Sequence, residues 1–188
     1  ERKIAGLLHD CGRITPPLHV VDKATKLQTI YGRIGLVDTR FEALKREAEI
    51  AMLRARIAAM EADDVSSAQR AIEDFEAKVR QFNDDREFLR RTNIGGERMS
   101  QEDQARVSRI AQYQWTGPRG HVERFLSRDE EDNLNIPYGT LTQKEREIIN
   151  HHIVATIKML EALPWPRHLV NVPEYAGGHH ERMDGKGY

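Results

Sequence analysis

Cysteine occurs once in the 188 residues, at Cys11, so no disulfide forms within the chain. A single thiol fits a reducing compartment, and its helical spacing from Leu7 and Leu8 makes Cys11 a small packing residue rather than a nucleophile. Aromatic residues make up only 6%, too little for the core of a thick sheet sandwich. No run of about 18 apolar residues occurs, so no segment reads as a membrane span. Charge of one sign is missing too, since 29 Lys and Arg face 30 Asp and Glu for a formal charge of −1. That balance argues against a broad basic face for polymeric nucleic acid and leaves room for a small phosphorylated ligand held by a few local cations.

What the chain has in quantity is charge on long polar segments, 31% of residues, with a mean hydropathy of −0.67. This composition predicts an all-α protein, long enough to bury a real core. Three groups of metal-ligating residues stand far apart in it: His9-Asp10, His151-His152 and His179-His180-Glu181. Singly, each has an ordinary reading as a surface ion pair or cap, a satisfied core histidine, or a histidine-rich loop. Together they point to one folded metal site, and imidazole mixed with carboxylate suits Zn, Mn, Fe or Ni rather than Ca or Mg.

Along the chain, Ile4, Ala5, Leu7, Leu8 and Cys11 predict a helix over residues 1–11 with Gly12 as its C-terminal cap. His9 and Asp10 then share its last turn, and Arg13 follows with a planar cation suited to bidentate phosphate contact. Pro16-Pro17 breaks the helix, leaving His19 in a loop. From about residue 33 to 91 the chain turns rich in Ala, Arg and Glu. Val37, Phe41, Leu44, Ala48, Ala51, Ala55 and Ala58 form one heptad seam, and Ala68, Ile72, Phe75, Val79, Phe82, Arg86 and Leu89 form another. An antiparallel helical hairpin follows, its alanines admitting close approach and its second helix opened by a Ser66/Gln69 capping box. It reads as a spacer or dimerisation arm without catalytic role. A homodimer through it is only weakly indicated, because an intramolecular pair already satisfies both seams.

Beyond a break at Asn93–Gly96, Ser100 and Asp103 open a helix with Val107, Ile110 and Ala111 inward, and residues 115–120 read as a loop. His121 stands alone on a short amphipathic piece, and residues 127–139 are acidic and then turn-like. Thr142 and Glu145 cap the next helix, on which Ile149, His152, Thr156 and Leu160 share one face, widened by Ile148 and Ile153. That spacing turns His152, not His151, inward. Pro164 and Pro166 end the helix, Trp165 plugs its end, and Gly177-Gly178 allows close packing before His179.

These residues resemble the HD-GYP phosphodiesterases, a branch of the HD metallohydrolase superfamily. His9-Asp10 with Gly12-Arg13 is similar to the family's His-Asp-x-Gly-Lys signature, and Leu141 to His152 to the helix that delivers its next histidine. His179-His180-Glu181-Arg182-Met183-Asp184-Gly185-Lys186-Gly187-Tyr188 matches the naming motif up to its final proline. The resemblance covers residues 1–27 and 137–188, a first and a truncated second part of the core, with 28–136 as a helical insertion carrying the hairpin at about 33–91.

The resemblance implies an HD-type helical bundle with two or three divalent transition-metal ions, iron or manganese first and zinc or nickel next. It implies hydrolysis of the bacterial second messenger cyclic di-GMP to pGpG or GMP, without a Ser or Cys nucleophile. His9, Asp10, His152, His179 and His180 would be ligands, with Asp10 the bridging, catalytic carboxylate. Arg13 stands where the family has a lysine that contacts phosphate, and would be the substrate-binding and catalytic cation. Glu181, Asp184, Gly185, Gly187 and Tyr188 belong to the motif. The family's upstream ligands and the aspartate after Gly-Tyr-Pro do not appear in these residues, and with a start that is not Met the expectation is a fragment of a longer protein. A cytoplasmic signalling output domain is expected, with a sensor or receiver domain upstream, a membrane anchor allowed there, and signalling proteins as partners. The alternative is a scaffold of low or no activity acting through protein partners, to which Arg13 in place of lysine points. A third reading, weaker than both, is hydrolysis of another nucleotide such as cyclic GMP-AMP.

Overall fold

Ser100, Ser127 and Thr142 each stand three residues before an acid, and each opens a helix through a reciprocal capping box. The computed structural model describes residues 1–187; Tyr188 lies outside them. Its helices are α1 (Arg2–Leu8), α2 (Leu18–Val21), α3 (Ile34–Glu61), α4 (Val65–Ile94), α5 (Gln101–Ala111), α6 (Arg128–Leu134), α7 (Gln143–Asn150), α8 (His152–Glu161) and α9 (Val172–Gly177). Between α5 and α6 lie strands β1 (Gln114–Thr116) and β2 (Val122–Arg124), and short 3₁₀ turns span Cys11–Ile14, Arg167–Leu169 and Gly178–His180. The fold is therefore all-α apart from one two-stranded ribbon, consistent with an HD-type fold. No helix among the described residues is long and apolar enough to cross a membrane.

Two compact units emerge, one from residues 1–23 with 141 onward and the other from Ala24–Thr140. In the second, α3 and α4 pair as a hairpin whose base is built into the core. Val37, Phe41, Leu44, Phe88 and Leu89 pack there with Val107, Ile110, Phe125, Leu126 and Leu134. The hairpin thus supplies the centre of this unit. Its distal half departs from the heptad expectation: Ala51, Ala55 and Ala58 are exposed, while Ala59 is buried with Met52 and Arg56 half-buried. A straight α-helix drifts by about 20° per heptad, so the buried line slides off the alanines, of which Ala51 and Ala55 edge an open cleft against α4. The cap of α4 also differs. Asp64, not Ser66, takes the N–H of Ser67 at 3.0 Å and the hydroxyls of Ser66 and Ser67 at 2.8 and 2.6 Å.

Two further expectations are overturned in this unit. The loop expected over residues 115–120 is a strand at its start: Gln114–Thr116 pairs with Val122–Arg124, Gln114 opposite Arg124 and Thr116 opposite Val122, and only the connection is a turn, closed by Gly117 N–H to His121 O with a positive φ of 77° at Gly120. Residues 128–134 form a helix because the Ser127/Glu130 box starts one, and Glu130, Asn133 and Leu134 are buried. Both buried carboxylates of this unit are paired: Arg40 grips Glu130 with two contacts of 2.7 and 3.1 Å, and Asp85 accepts from Arg106 and from Tyr113 Oη. Fully buried Lys26 donates to the carbonyls of Leu134 and Ile136 at 2.9 and 2.7 Å.

The first unit is small. Ala5, Leu160, Val172 and Ala176 form its apolar centre, with Leu8, Cys11 and Trp165 against it. Trp165 Nε1 donates to Leu160 O at 2.7 Å, closing the end of α8. Gly177 meets Ile157 closely enough that a Cβ would stand 2.9 Å from it, whereas Gly178 faces open space. His19 lies in the one-turn α2 rather than a loop, since Pro17 leads directly into helical backbone. Lys23, almost wholly buried, meets both oxygens of Glu145 at 3.0 and 2.8 Å.

Candidate metal centre

Helix α1 ends at Leu8, and the chain passes through His9 and Asp10 into the 3₁₀ turn that holds Gly12. Gly12 is not the left-handed cap expected of it. Its N–H donates to Thr156 Oγ1 at 2.9 Å, and a Cβ there would lie 2.1 Å from the carbonyl oxygen of His152. Only glycine permits this crossing over α8, and the crossing sets Asp10 beside His152.

Asp10 Oδ1 is 3.3 Å from His152 Nε2 and 3.6 Å from His179 Nε2. His180 joins them: one ligand atom from each of Asp10, His152, His179 and His180 lies within 4.8 Å of every other, a group that could hold a metal ion. His9 stands at its edge, with Nε2 3.2 Å from Asp10 Oδ2 and its ring edge-on to His179 at 4.7 Å. Both carboxylate oxygens thus face imidazole nitrogens. His151 is exposed while His152 is buried, as the helical spacing predicts.

Three of the histidines are fixed in the same way. His9, His152 and His179 each place Nδ1 on the carbonyl three residues earlier, at Gly6, Ile149 and Ala176, with distances of 2.8, 2.5 and 2.6 Å. A carbonyl accepts only, so Nδ1 carries the proton and Nε2 keeps its lone pair. The Nε2 atoms of His152 and His179 are buried without a hydrogen-bond partner among the described residues. Orphaned lone pairs aimed at one carboxylate, each backed by a carbonyl, are the arrangement a divalent ion requires.

Electrostatics keep the group in ligating form. Burial pushes the Asp10 carboxyl up, but the Arg13 guanidinium, then His9 and His152, outweigh it and hold the pKa below its ordinary value. Burial lowers His180, and the neighbouring His179 and His152 lower it further against the pull of Asp10. The result is a carboxylate held toward its ionised form beside a His180 held toward its neutral form.

Arg13 Nε lies 2.8 Å from Asp10 Oδ1, with its side chain 57% exposed. It faces the carboxylate and solvent together. The motif residues after the histidines shape a turn instead of joining the cluster. Glu181 Oε1 accepts from the N–H groups of Arg182 and Gly187, both at 2.8 Å. A Cβ on Gly187 would come within 2.4 Å of Glu181 Cα. Asp184 accepts from Lys186 N at 3.1 Å, and Gly185 has a φ of 68° that favours glycine. Tyr188, the last residue of the motif, is outside the described residues. Thr156 and the three carbonyls are contributors that sequence reading did not assign; the only available signal was the inward position of Thr156 one turn after His152.

A pocket on the outer side of the cluster is lined by Arg2, His9, Tyr175, His179 and Glu181. Neither the curated proteins nor the solved structures contain a match to this chain. The family model of the HD domain matches residues 130–188, the part that carries His152, His179 and His180. That match supports the HD metallohydrolase superfamily, whose domains are in general metal-dependent phosphohydrolases.

Proposed function

We propose that this chain is the catalytic part of a metal-dependent phosphodiesterase acting on cyclic di-GMP. The observation that carries it is the convergence of Asp10, His152, His179 and His180 within 4.8 Å, with His9 on the second oxygen of Asp10. The resemblance of His179 to Tyr188 to the HD-GYP motif supports the cyclic dinucleotide as substrate.

In this reading Asp10, His152, His179 and His180 would hold a divalent ion, with His9 beside them against Asp10. Bound metal supplies a water acidic enough to ionise near neutral pH and positive charge for the phosphodiester oxygens. The chain's own residues do the rest. Asp10 stays ionised because Arg13 and the imidazoles offset its burial. The carbonyls of Gly6, Ile149 and Ala176 lock each Nε2 toward the centre. Arg13, mostly exposed, swings from Asp10 to a phosphate oxygen, a planar fork where a lysine would offer a point charge. Its contact with Asp10 also favours a second reading, a scaffold of low activity, because the cation must leave a good partner to meet substrate.

The test offers the purified chain cyclic di-GMP, cyclic GMP-AMP and bis(p-nitrophenyl) phosphate, with products separated by chromatography. Conversion of cyclic di-GMP to pGpG or GMP supports the proposal. Cleavage of the nitrophenyl ester alone keeps the phosphohydrolase and rejects the substrate. A metal-loaded chain inert on all three favours the scaffold.

A further inference from the structure

The distal half of α3 carries a second apolar stripe, on the side turned away from α4. Ile50, Leu53, Ile57 and Met60 succeed one another at steps of three, four and three, and they are 49, 45, 58 and 74% exposed. Met52 lines the cleft against α4 and Ala59 is buried at the same level; at 100° per residue the centre of the stripe lies roughly 130° round the axis from them. Single exposed apolar residues are ordinary on a surface. Four large ones at coiled-coil spacing form a continuous seam that another helix of the same period would cover.

The flanking charges identify that helix. Glu49 and Arg56 border the stripe on one side, Arg54 and Glu61 on the other. Glu49 meets Arg46 at 2.8 Å, whereas Arg54, Arg56 and Glu61 form no ion pair among the described residues. Laid parallel and in register on a copy of itself, the stripe sets Glu49 against Arg54 and Arg56 against Glu61. Laid antiparallel, it sets Glu49 against Arg56 and Arg54 against Glu61. Opposite charges meet in both orientations, so the flanks are complementary to themselves.

We propose that this stripe is a self-association surface whose occupant is α3 of a second copy of the chain. It is separate from the intramolecular seam against α4 and does not depend on the metal-site reading. Two heptads bury less than the roughly 800 Å² per partner of a standard interface, so the dimer is weak, in the micromolar range.

Sedimentation velocity on the 188-residue chain, from about 1 to about 300 µM to bracket such an affinity, tests it. The wild type shifts from monomer to dimer across that range. A Leu53→Glu, Ile57→Glu double variant, altered only on the exposed face, keeps its helical circular dichroism and weakens association at least about tenfold. Glu49→Arg with Glu61→Arg makes every flanking position basic, and Arg54→Glu with Arg56→Glu makes every one acidic. Each is monomeric alone, and an equimolar mixture of the two dimerises. A wild type monomeric throughout, a Leu53/Ile57 variant that dimerises like the wild type, or a mixture that stays monomeric overturns the proposal. The first of these leaves the stripe to a helix of another protein.

Discussion

Gly12 donates its N–H to Thr156 Oγ1 at 2.9 Å while passing so close to α8 that a Cβ would meet the carbonyl of His152 at 2.1 Å. This one crossing fixes the distance between Asp10, two residues before Gly12, and His152, four residues before Thr156.

Gly12→Ala therefore destabilises the first unit by about 1–3 kcal/mol, because the methyl group overpacks a site with no room to shift. Thr156→Val leaves the buried Gly12 N–H without an acceptor and costs about 1–3 kcal/mol, whereas Thr156→Ser costs less. Denaturant titration measures the stabilities, and bound metal on the same samples falls with Gly12→Ala.

The buried pair of Arg40 and Glu130 behaves differently when broken and when replaced. Arg40→Met leaves a carboxylate buried at 3% side-chain exposure without its partner, at a cost of about 3–5 kcal/mol. Changing Arg40 and Glu130 together to Met costs clearly less than Arg40→Met alone, and a double-mutant cycle by urea unfolding reads the difference. Equal losses in the single and double variants would show that the pair is uncoupled.

Burial pushes Lys26 down to about 8 from an ordinary 10.5, with Asp103 pulling the other way. Below about pH 8 the lysine is charged in both folded and unfolded states, and its buried charge weakens the fold. Between these values the unfolded chain binds the proton that the folded one has lost, so this contribution to stability rises with pH. The unfolding free energy of the wild type minus that of Lys26→Met climbs by on the order of 1–3 kcal/mol across that window. A flat difference between the two would contradict the assignment.

Part of the candidate site could be read from sequence because His152 sits on a periodic helical face. The spacing of Ile149, His152, Thr156 and Leu160 turns one histidine of an adjacent pair inward, and the structure buries that one. Capping boxes at Ser100 and Thr142 start helices as their side-chain chemistry dictates. The box at Ser127 was equally present but masked by the acidic run around it. Gly12 was misread because a close crossing with a residue 144 positions away leaves the same local trace as a helix cap. The alanine seam drifted because small side chains do not hold a strict heptad against the natural 3.6-residue turn. The carbonyls behind His9, His152 and His179 leave no mark in sequence, since every residue has one.

The central claim is that Asp10 and the histidines around it hold metal that this chain uses on a phosphodiester. The most direct measurement is metal content by mass spectrometry and cyclic di-GMP turnover on one anaerobically purified sample, wild type beside Asp10→Ala. The account predicts bound transition metal and turnover in the wild type. Both fall in the variant, turnover by at least about 100-fold, since even residues behind metal ligands cost 10–100-fold. Metal and turnover unchanged in Asp10→Ala would contradict it.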